Sequence, residues 1–268
     1  MLDDAAIAGQ LDRAALTRSA LAAPFTDTEP DLDTATAYRI QDLVVAQRLA
    51  RGARVIGAKL GLTSHAKQER MNVDQPLYGW LTSDMVLPAN VPVDLGSFVH
   101  VRAEPEIGFL LGASIEAPAT AATVLAATAG VFGAIELIDS RYDAFRFRHP
   151  DVIADNASSA GVIMGGVTAA PAELVDLKLL GCVLRHDGRV VATAAGAAVL
   201  GHPAEAVAWL VNQLAARGRR LEPGSIVLSG ALTDAVPLAP GQSVVAEFDG
   251  LGAVEIHCSF PTRSRDDH

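Results

Sequence analysis

Apolar positions recur at helical spacing at the start of the chain. Ile7, Leu11, Ala14, Ala15 and Leu21 predict a helix over residues 3–22, closed by Pro24. A second helix is expected over 34–51, with Asp33 or Thr34 as its cap. Ile40, Leu43, Val44 and Leu49 form its stripe, and Gly52 stops it. The spacing then changes. RVIGAKL (54–60) predicts a buried strand ending at Gly61, a short helix is expected over 64–72, and DQPLYGWL reads as a rigid turn because of its Pro and Gly. From about residue 85 strand-like runs dominate: MVLPANVPVDL, HVRAEPEIGFLLG, GVFGAIELIDS, KLLGCVLRHDGRVV, GSIVLSGAL and QSVVAEFDGLGAVEIHCSF. Asp187-Gly188 separates two such runs and predicts a hairpin. Helices are expected at 117–129 and 203–217, the latter with Pro203 in its first turn. The pattern predicts an α+β protein: a helical and mixed part over 1–80, a β-rich body over 81–262 and a tail over 263–268.

Composition narrows the function classes. The 268 residues are 50% hydrophobic and 19% charged, a globular balance with enough chain for a core that needs no disulfide or zinc. A net charge of −10 argues against nucleic acid or an anionic membrane as partner. Cys182 and Cys258 form no CxxC or Cys/His cluster, which points to a reducing compartment. The N-terminus is acidic and lacks a secretory pattern, and no apolar run approaches the roughly 18 residues of a membrane helix. A soluble, cytoplasmic protein is expected.

The candidate chemistry lies in charged residues placed within apolar strands. Glu104 and Glu106 are two apart in a run continued by Ile107, Phe109, Leu110 and Leu111, so both carboxylates project from one face. Glu136 stands in the apolar run GAIELIDS, with Asp139 at its end. Like charges sharing such a face repel unless a cation lies between them. Three carboxylates without His or Cys suit Mg²⁺ or Mn²⁺. Salt bridges to Arg102 or Arg141 are the plainer alternative. Lys59, in VIGAKLGLTS, is either an active-site cation or a lysine whose ammonium reaches the surface. GAKLGLTS lacks the GK[ST] of a phosphate loop, and HExxH, GxSxG and GxGxxG are absent. His202 in LGHP suits a cap or turn, and Met71 and Trp80 suit the core. Asn156, Ser158 and Ser159 offer turn chemistry or hydrogen bonds to a substrate carboxylate.

Taken together, GAKLGLTSHAKQERMNVDQPLYGWLTSDM, AEPEIGFLLG, AIELIDSRYDAFRF, ADNASS, GAAVLGHPAEAVAWL and SGALT resemble, in collinear order over residues 35–258, the 2-keto-4-pentenoate hydratase and 4-oxalocrotonate decarboxylase family. This family is a branch of the fumarylacetoacetate hydrolase superfamily. The resemblance implies a C-terminal-like mixed β-roll body of that type with a helical N-terminal part. It implies Mg²⁺ or Mn²⁺ on Glu104, Glu106 and Glu136, with Lys59 as the lysine of the K-x-G-L-T-S block. Thr63, Ser64, Ser159 and Asp139 are its candidate substrate-binding residues. The implied substrate is a 2-oxo acid from meta-cleavage of aromatic compounds. Homo-oligomers, and association of the pathway's hydratase and decarboxylase, are implied too.

The two branches differ in chemistry. The resemblance places an Asp after the Pro of the DQP block in hydratases and an aliphatic residue in decarboxylases; here it is Leu77. Water addition needs a base near the distal carbon, whereas decarboxylation brings a carboxylate there, which an Asp would repel. Leu77 and SRYDAFRF favour metal-dependent decarboxylation of 2-oxohex-3-enedioate to 2-hydroxypenta-2,4-dienoate and CO2, with the dienoate hydratase as alternative. Acylpyruvate-type hydrolysis would need a His–Glu pair, for which His65 in a polar helix is the nearby candidate. An inactive structural partner would be expected to have lost some of Lys59, Glu104, Glu106 and Glu136.

Overall fold

The computed structural model describes residues 3–259; the tail expected at 263–268 lies outside them. Two helices open the chain, α1 (Asp4–Thr17) and α2 (Thr34–Ala50). Asp3 and Asp33 cap them by accepting hydrogen bonds from Ala6 and Thr36 N–H. α1 ends earlier than the expected residue 22. Arg18 turns left-handed, and Leu21 leaves the helix to exchange backbone hydrogen bonds with the segment 141–143. β1 (Val55–Gly61), α3 (His65–Met71) and β2 (Leu77–Thr82) follow.

β2 corrects the rigid turn expected for DQPLYGWL: every one of its residues is buried and it pairs antiparallel with β1. Gly79, one source of the turn expectation, is required by a close approach. A Cβ there would lie 2.5 Å from the Asn156 carbonyl oxygen. The division expected at residue 80 falls inside this strand.

The body continues with β3 (Arg102–Leu111), α4 (Ala121–Ala127), β4 (Thr128–Ile138), α5 (His149–Ala154) and β5 (Ser159–Ala169). Then come β6 (Gly181–His186), β7 (Arg189–Ala195), α6 (Pro203–Ala216), β8 (Ile226–Ala231), β9 (Val236–Pro237), β10 (Ser243–Phe248) and β11 (Gly252–His257). The strand-like run at 85–95 forms no strand. Pro88 and Pro92 cannot donate to a ladder, and only single bridges, Val86 to Val162 and Val93 to Cys258, attach it. The helix expected at 117–129 is confined to α4; Thr120 caps it, and Thr128 already belongs to β4. The hairpin at Asp187-Gly188 and the helix beginning at Pro203 are as expected. His202 is indeed a cap, its Nδ1 accepting from Ala204 N–H at 3.0 Å.

The strands form two sheets. The large one runs β2-β1-β8-β3-β4-β5, with β9 on the end of β3, and the small one runs β11-β10-β6-β7. Among the strands of the described residues, β1 and β8 are the one pair that runs parallel. β10 and β11 pack on β4 and β5, and α6 packs on β8 and β1. The main core holds Ala58, Leu60, Tyr78, Trp80, Ile107, Phe109, Ile135, Leu137 and the apolar face of α6. A second cluster joins α1, α2 and α5 to Leu77 and Tyr142. Buried Gln41 ties the two, its Nε2 donating to the carbonyls of Tyr78 and Ile153 at 2.9 Å each. Both cysteines are free and buried, and burial pushes the Cys182 thiol up to about 12. No helix among the described residues is long and apolar enough to cross a membrane.

A strand that accommodates another backbone only through a glycine should not tolerate a methyl group. Gly79→Ala is expected to lower the unfolding free energy by about 2 kcal/mol or more through overpacking, measured by equilibrium denaturation; a loss within error would show that the Asn156 turn can move away.

Candidate metal centre and its cavity

Strand alternation sorts the large sheet into two faces. Ala103, Ile107 and Phe109 of β3, with Val131, Ile135 and Leu137 of β4, enter the main core. The intervening positions face the other way: Glu104 and Glu106 on β3, Glu136 on β4, Lys59 on β1, and Leu77 and Gly79 on β2. Register completes the grouping, because Glu104 lies opposite Glu136, and Lys59 is opposite both Gly79 and Leu228. Three strands, β1, β3 and β4, thereby place their charged residues on one patch, and β2 adds Leu77 beside them.

One oxygen from each of Glu104, Glu106 and Glu136 lies within 4.8 Å of the others. Glu106 and Glu136 are fully buried. Glu106 Oε2 accepts from Gly230 N–H at 2.7 Å, while Glu106 Oε1 and both Glu136 oxygens accept no hydrogen bond. Lys59 Nζ lies 3.2 Å from Glu136 Oε1, and the lysine is 3% exposed. Lys59 is therefore a buried cation, not one whose ammonium reaches the surface. Burial, reinforced by the neighbouring Glu136 charge, pushes the Glu106 carboxyl well above the usual carboxylate range, and Lys59 only partly opposes this. Burial raises Glu136 as well, again against Lys59. The plainer alternative of arginine partners does not apply. Arg141 pairs with Asp155, and Arg102 lies over the Phe145 ring.

Buried carboxylate oxygens without donors, converging within a few ångströms, fit a hard divalent cation. The set is all oxygen, which suits Mg²⁺ or Mn²⁺ over softer metals. Gly230 shapes the floor. Its φ is +111°, and a Cβ there would meet Thr63 Oγ1 at 2.0 Å. Only glycine allows its N–H to reach Glu106 while buried Thr63 packs over it.

Above the carboxylates opens a cavity of about 110 Å³, lined by Lys59, Thr63, Lys67, Leu77 and Glu104, with Ile138, Phe145, Phe147, Val152, Ala157 and Ser158 among its other walls. It suits a small organic acid. A wider groove of about 490 Å³ elsewhere has Asp42 as its sole carboxylate, so size does not mark the chemistry. Ser64 is the cap of α3, accepting from Lys67 N–H at 3.2 Å. Ser159 does not line the cavity; its Oγ lies 3.6 Å from Met85 Sδ. Asp139 is outside the lining too, accepting from Val99 and His100 N–H at 2.8 and 2.7 Å. That bond holds the His100 ring, which stacks on the wall residue Phe145 at 4.8 Å.

Sequence reading missed Lys67, Phe145, Phe147 and Gly230. Lys67 sits in a helix that reads as merely polar, yet its Nζ lies 3.3 Å from Glu104 Oε1 and 3.0 Å from the Thr233 carbonyl. Asn156 proves to be a brace. Its Oδ1 accepts from Trp80 N–H at 2.7 Å and its Nδ2 donates to the Trp80 carbonyl at 2.9 Å, fixing β2 and with it Leu77.

Comparison with known proteins identifies the family. Residues 54–258 match the family model described as fumarylacetoacetate (FAA) hydrolase C-terminal. The chain is 44% identical over 230 residues to the 4-oxalocrotonate decarboxylase of Pseudomonas sp. strain CF600, covering 85% of this chain and 87% of that one. It is 38% identical over 251 residues to the 2-hydroxyhexa-2,4-dienoate hydratase of Comamonas testosteroni, covering 92% and 95%. Among solved structures, the 4-oxalocrotonate decarboxylase of Pseudomonas putida G7, complexed with magnesium and adipate, superposes with a TM-score of 0.92 at 39% identity, covering 95% of this chain and 97% of that one.

If Glu106 is a ligand, Glu106→Gln should weaken Mg²⁺ binding by more than about tenfold, roughly 1.4 kcal/mol. The amide oxygen can still accept from Gly230, so the fold is expected to persist. Calorimetric titration checks this, and unchanged Mg²⁺ affinity would remove Glu106 from the ligand set.

Proposed function

We propose that this chain, which belongs to the fumarylacetoacetate (FAA) hydrolase C-terminal family, is a metal-dependent 4-oxalocrotonate decarboxylase. It converts 2-oxohex-3-enedioate to 2-hydroxypenta-2,4-dienoate and CO2. Leu77 carries the reading: it stands on the cavity wall with Phe145, Phe147, Val152 and Ala157, where a hydratase of this chemistry needs a base. Glu104 is the one carboxylate among the lining residues, and Lys67 holds it in an ion pair. Nothing on that wall would draw a proton from water.

In our reading Glu104, Glu106 and Glu136 hold a divalent cation, which as a Lewis acid polarises the 2-oxo group of a bound substrate. The chain's own residues do the rest. Cleavage of the bond between C5 and C6 releases CO2, and its electron pair forms the C4–C5 double bond as the existing one shifts to C2–C3. Negative charge collects on the C2 oxygen. Lys59 is the buried ammonium placed to stabilise that oxygen. Thr63 is positioned to contact the substrate from the floor. Leu77 and the two phenylalanines offer the departing carboxylate an apolar surface, which disfavours the charged carboxylate relative to neutral CO2.

The relatives include hydratases, and Mg²⁺-dependent hydration of the dienoate is the alternative within the same site. The reading extends to a cytoplasmic homo-oligomer that associates with the pathway's hydratase. The family resemblance supports the assembly, and the two unpaired cysteines support a reducing compartment.

Purified protein with Mg²⁺ is expected to release CO2 from 2-oxohex-3-enedioate and to leave 2-hydroxypenta-2,4-dienoate unchanged, with a chelator abolishing turnover. Consumption of the dienoate without CO2 release would make the chain a hydratase. In the same assay Leu77→Asp should slow decarboxylation by at least about tenfold, roughly 1.4 kcal/mol of barrier. An unaltered rate would show that the apolar wall is irrelevant.

A further inference from the structure

We propose that Lys67 selects for a dicarboxylic substrate by binding the carboxylate at the end of the chain opposite the 2-oxo group. The inference rests on the decarboxylase reading. It starts from the depth at which each charge is held. Glu106, Glu136 and Lys59 form the floor, at 0%, 0% and 3% exposure. The Glu104 side chain is 12% exposed and that of Lys67 21%, so Lys67 stands at the mouth. A linear substrate whose 2-oxo acid end occupies the floor carries its other end outwards, to Lys67.

No other cation competes for that role among the lining residues. They include two lysines and no arginine, and Lys59 is committed to Glu136 at the floor. Arg102, the first residue of β3, lies over the Phe145 ring with its guanidinium 4.1 Å from the centroid. Lys67 has a firm base. Ser64 caps its helix, and Gln68 Nε2 donates to the Leu62 carbonyl at 2.8 Å, so α3 is fixed to the end of β1. Its ammonium keeps one neutral anchor, the Thr233 carbonyl at 3.0 Å. Its charged partner is Glu104, at 3.3 Å. When Glu104 gives its charge to a metal, Lys67 has donors left for a substrate carboxylate.

Lys67 and Leu77 then divide the work. The ammonium recognises the distal carboxylate as it enters, and the apolar wall flanks the bond that breaks. A contact made on binding and lost as the carboxylate becomes neutral CO2 supplies affinity, not rate. A lysine–carboxylate contact at a partly exposed site is expected to give about a tenfold preference for a diacid over the matching monoacid.

The test measures binding of 2-oxoadipate and of 2-oxohexanoate by calorimetry at saturating Mg²⁺. Both probes lack the conjugated double bond, and they differ only in the distal carboxylate. The wild type is expected to bind 2-oxoadipate about tenfold more tightly. Lys67→Met should reduce that preference to about twofold or less, weakening 2-oxoadipate far more than 2-oxohexanoate, and Lys67→Arg should retain much of it. With 2-oxohex-3-enedioate, Lys67→Met should raise KM by about tenfold, and kcat should rise rather than fall because the lost contact stabilised only the bound carboxylate. A preference that survives in Lys67→Met, or equal weakening of both acids, overturns the assignment. A wild type that binds both acids equally also overturns it, whereas one that binds neither overturns the underlying decarboxylase reading.

Discussion

The structure depends on two fully buried carboxylates that lack sufficient positive charge of their own. Glu106 and Glu136, with Glu104 beside them, bring three oxygens within 4.8 Å of one another, and only Lys59 joins them at the floor. At that separation each pair of negative charges repels by roughly 3 kcal/mol or more, taking an effective dielectric of about 20. Three such pairs exceed what Lys59 at the floor and Lys67 beside Glu104 can fully offset. Either a proton or a cation must make up the difference, and the upward displacement of Glu106 shows how poorly the protein alone accommodates its ionised form. A divalent cation relieves that cost, and the neighbouring donors are sparse in the manner such a site requires. Gly230 alone hydrogen-bonds one Glu106 oxygen and leaves the other, and both of Glu136, without donors.

Holding that arrangement is a task for the whole sheet. The parallel pairing of β1 with β8 brings Lys59 to the carboxylate face, and the antiparallel pairing of β3 with β4 sets Glu104 across from Glu136. A one-residue slip in either pairing would turn these side chains into the hydrophobic core. Register is guarded from outside the site. Asn156 grips both polar groups of the Trp80 backbone, Gly79 allows that turn to approach, and Gln41 links β2 to α5. These are long-range bonds between groups that a local sequence window never contains together.

That difference explains what could be read from the sequence. Glu104 and Glu106 were legible because strand geometry alone puts residues two apart on one face, and Glu136 and Lys59 because a charge in an apolar run demands a partner. β2 was not. Its Pro and Gly signal a turn locally, and only the distant Asn156 carbonyl reveals why a strand needs glycine there. Lys67 was hidden for the opposite reason. SHAKQER has the polarity of any solvated helix, and nothing in it shows that the helix lies over a cavity. The helix expected at 117–129 ran too far because its Ala and Thr content cannot show that Thr128 pairs with Leu111 in β4.

The same floor can support two reactions, so the choice between them has to be made by the walls. A polarised 2-oxo group drains electrons from a conjugated chain whether the next event is loss of CO2 or arrival of water. What differs is the group that meets the distal carbon. An acid there would hold a water molecule and accept its proton, but would also repel an incoming carboxylate. An aliphatic side chain does neither. Leu77 is packed against the cluster of α1, α2 and α5, so it is held by the helical layer as well as by β2. Replacing it with an acid would place a charge against Ile153, Tyr142 and their neighbours, a cost that only a polar partner could offset.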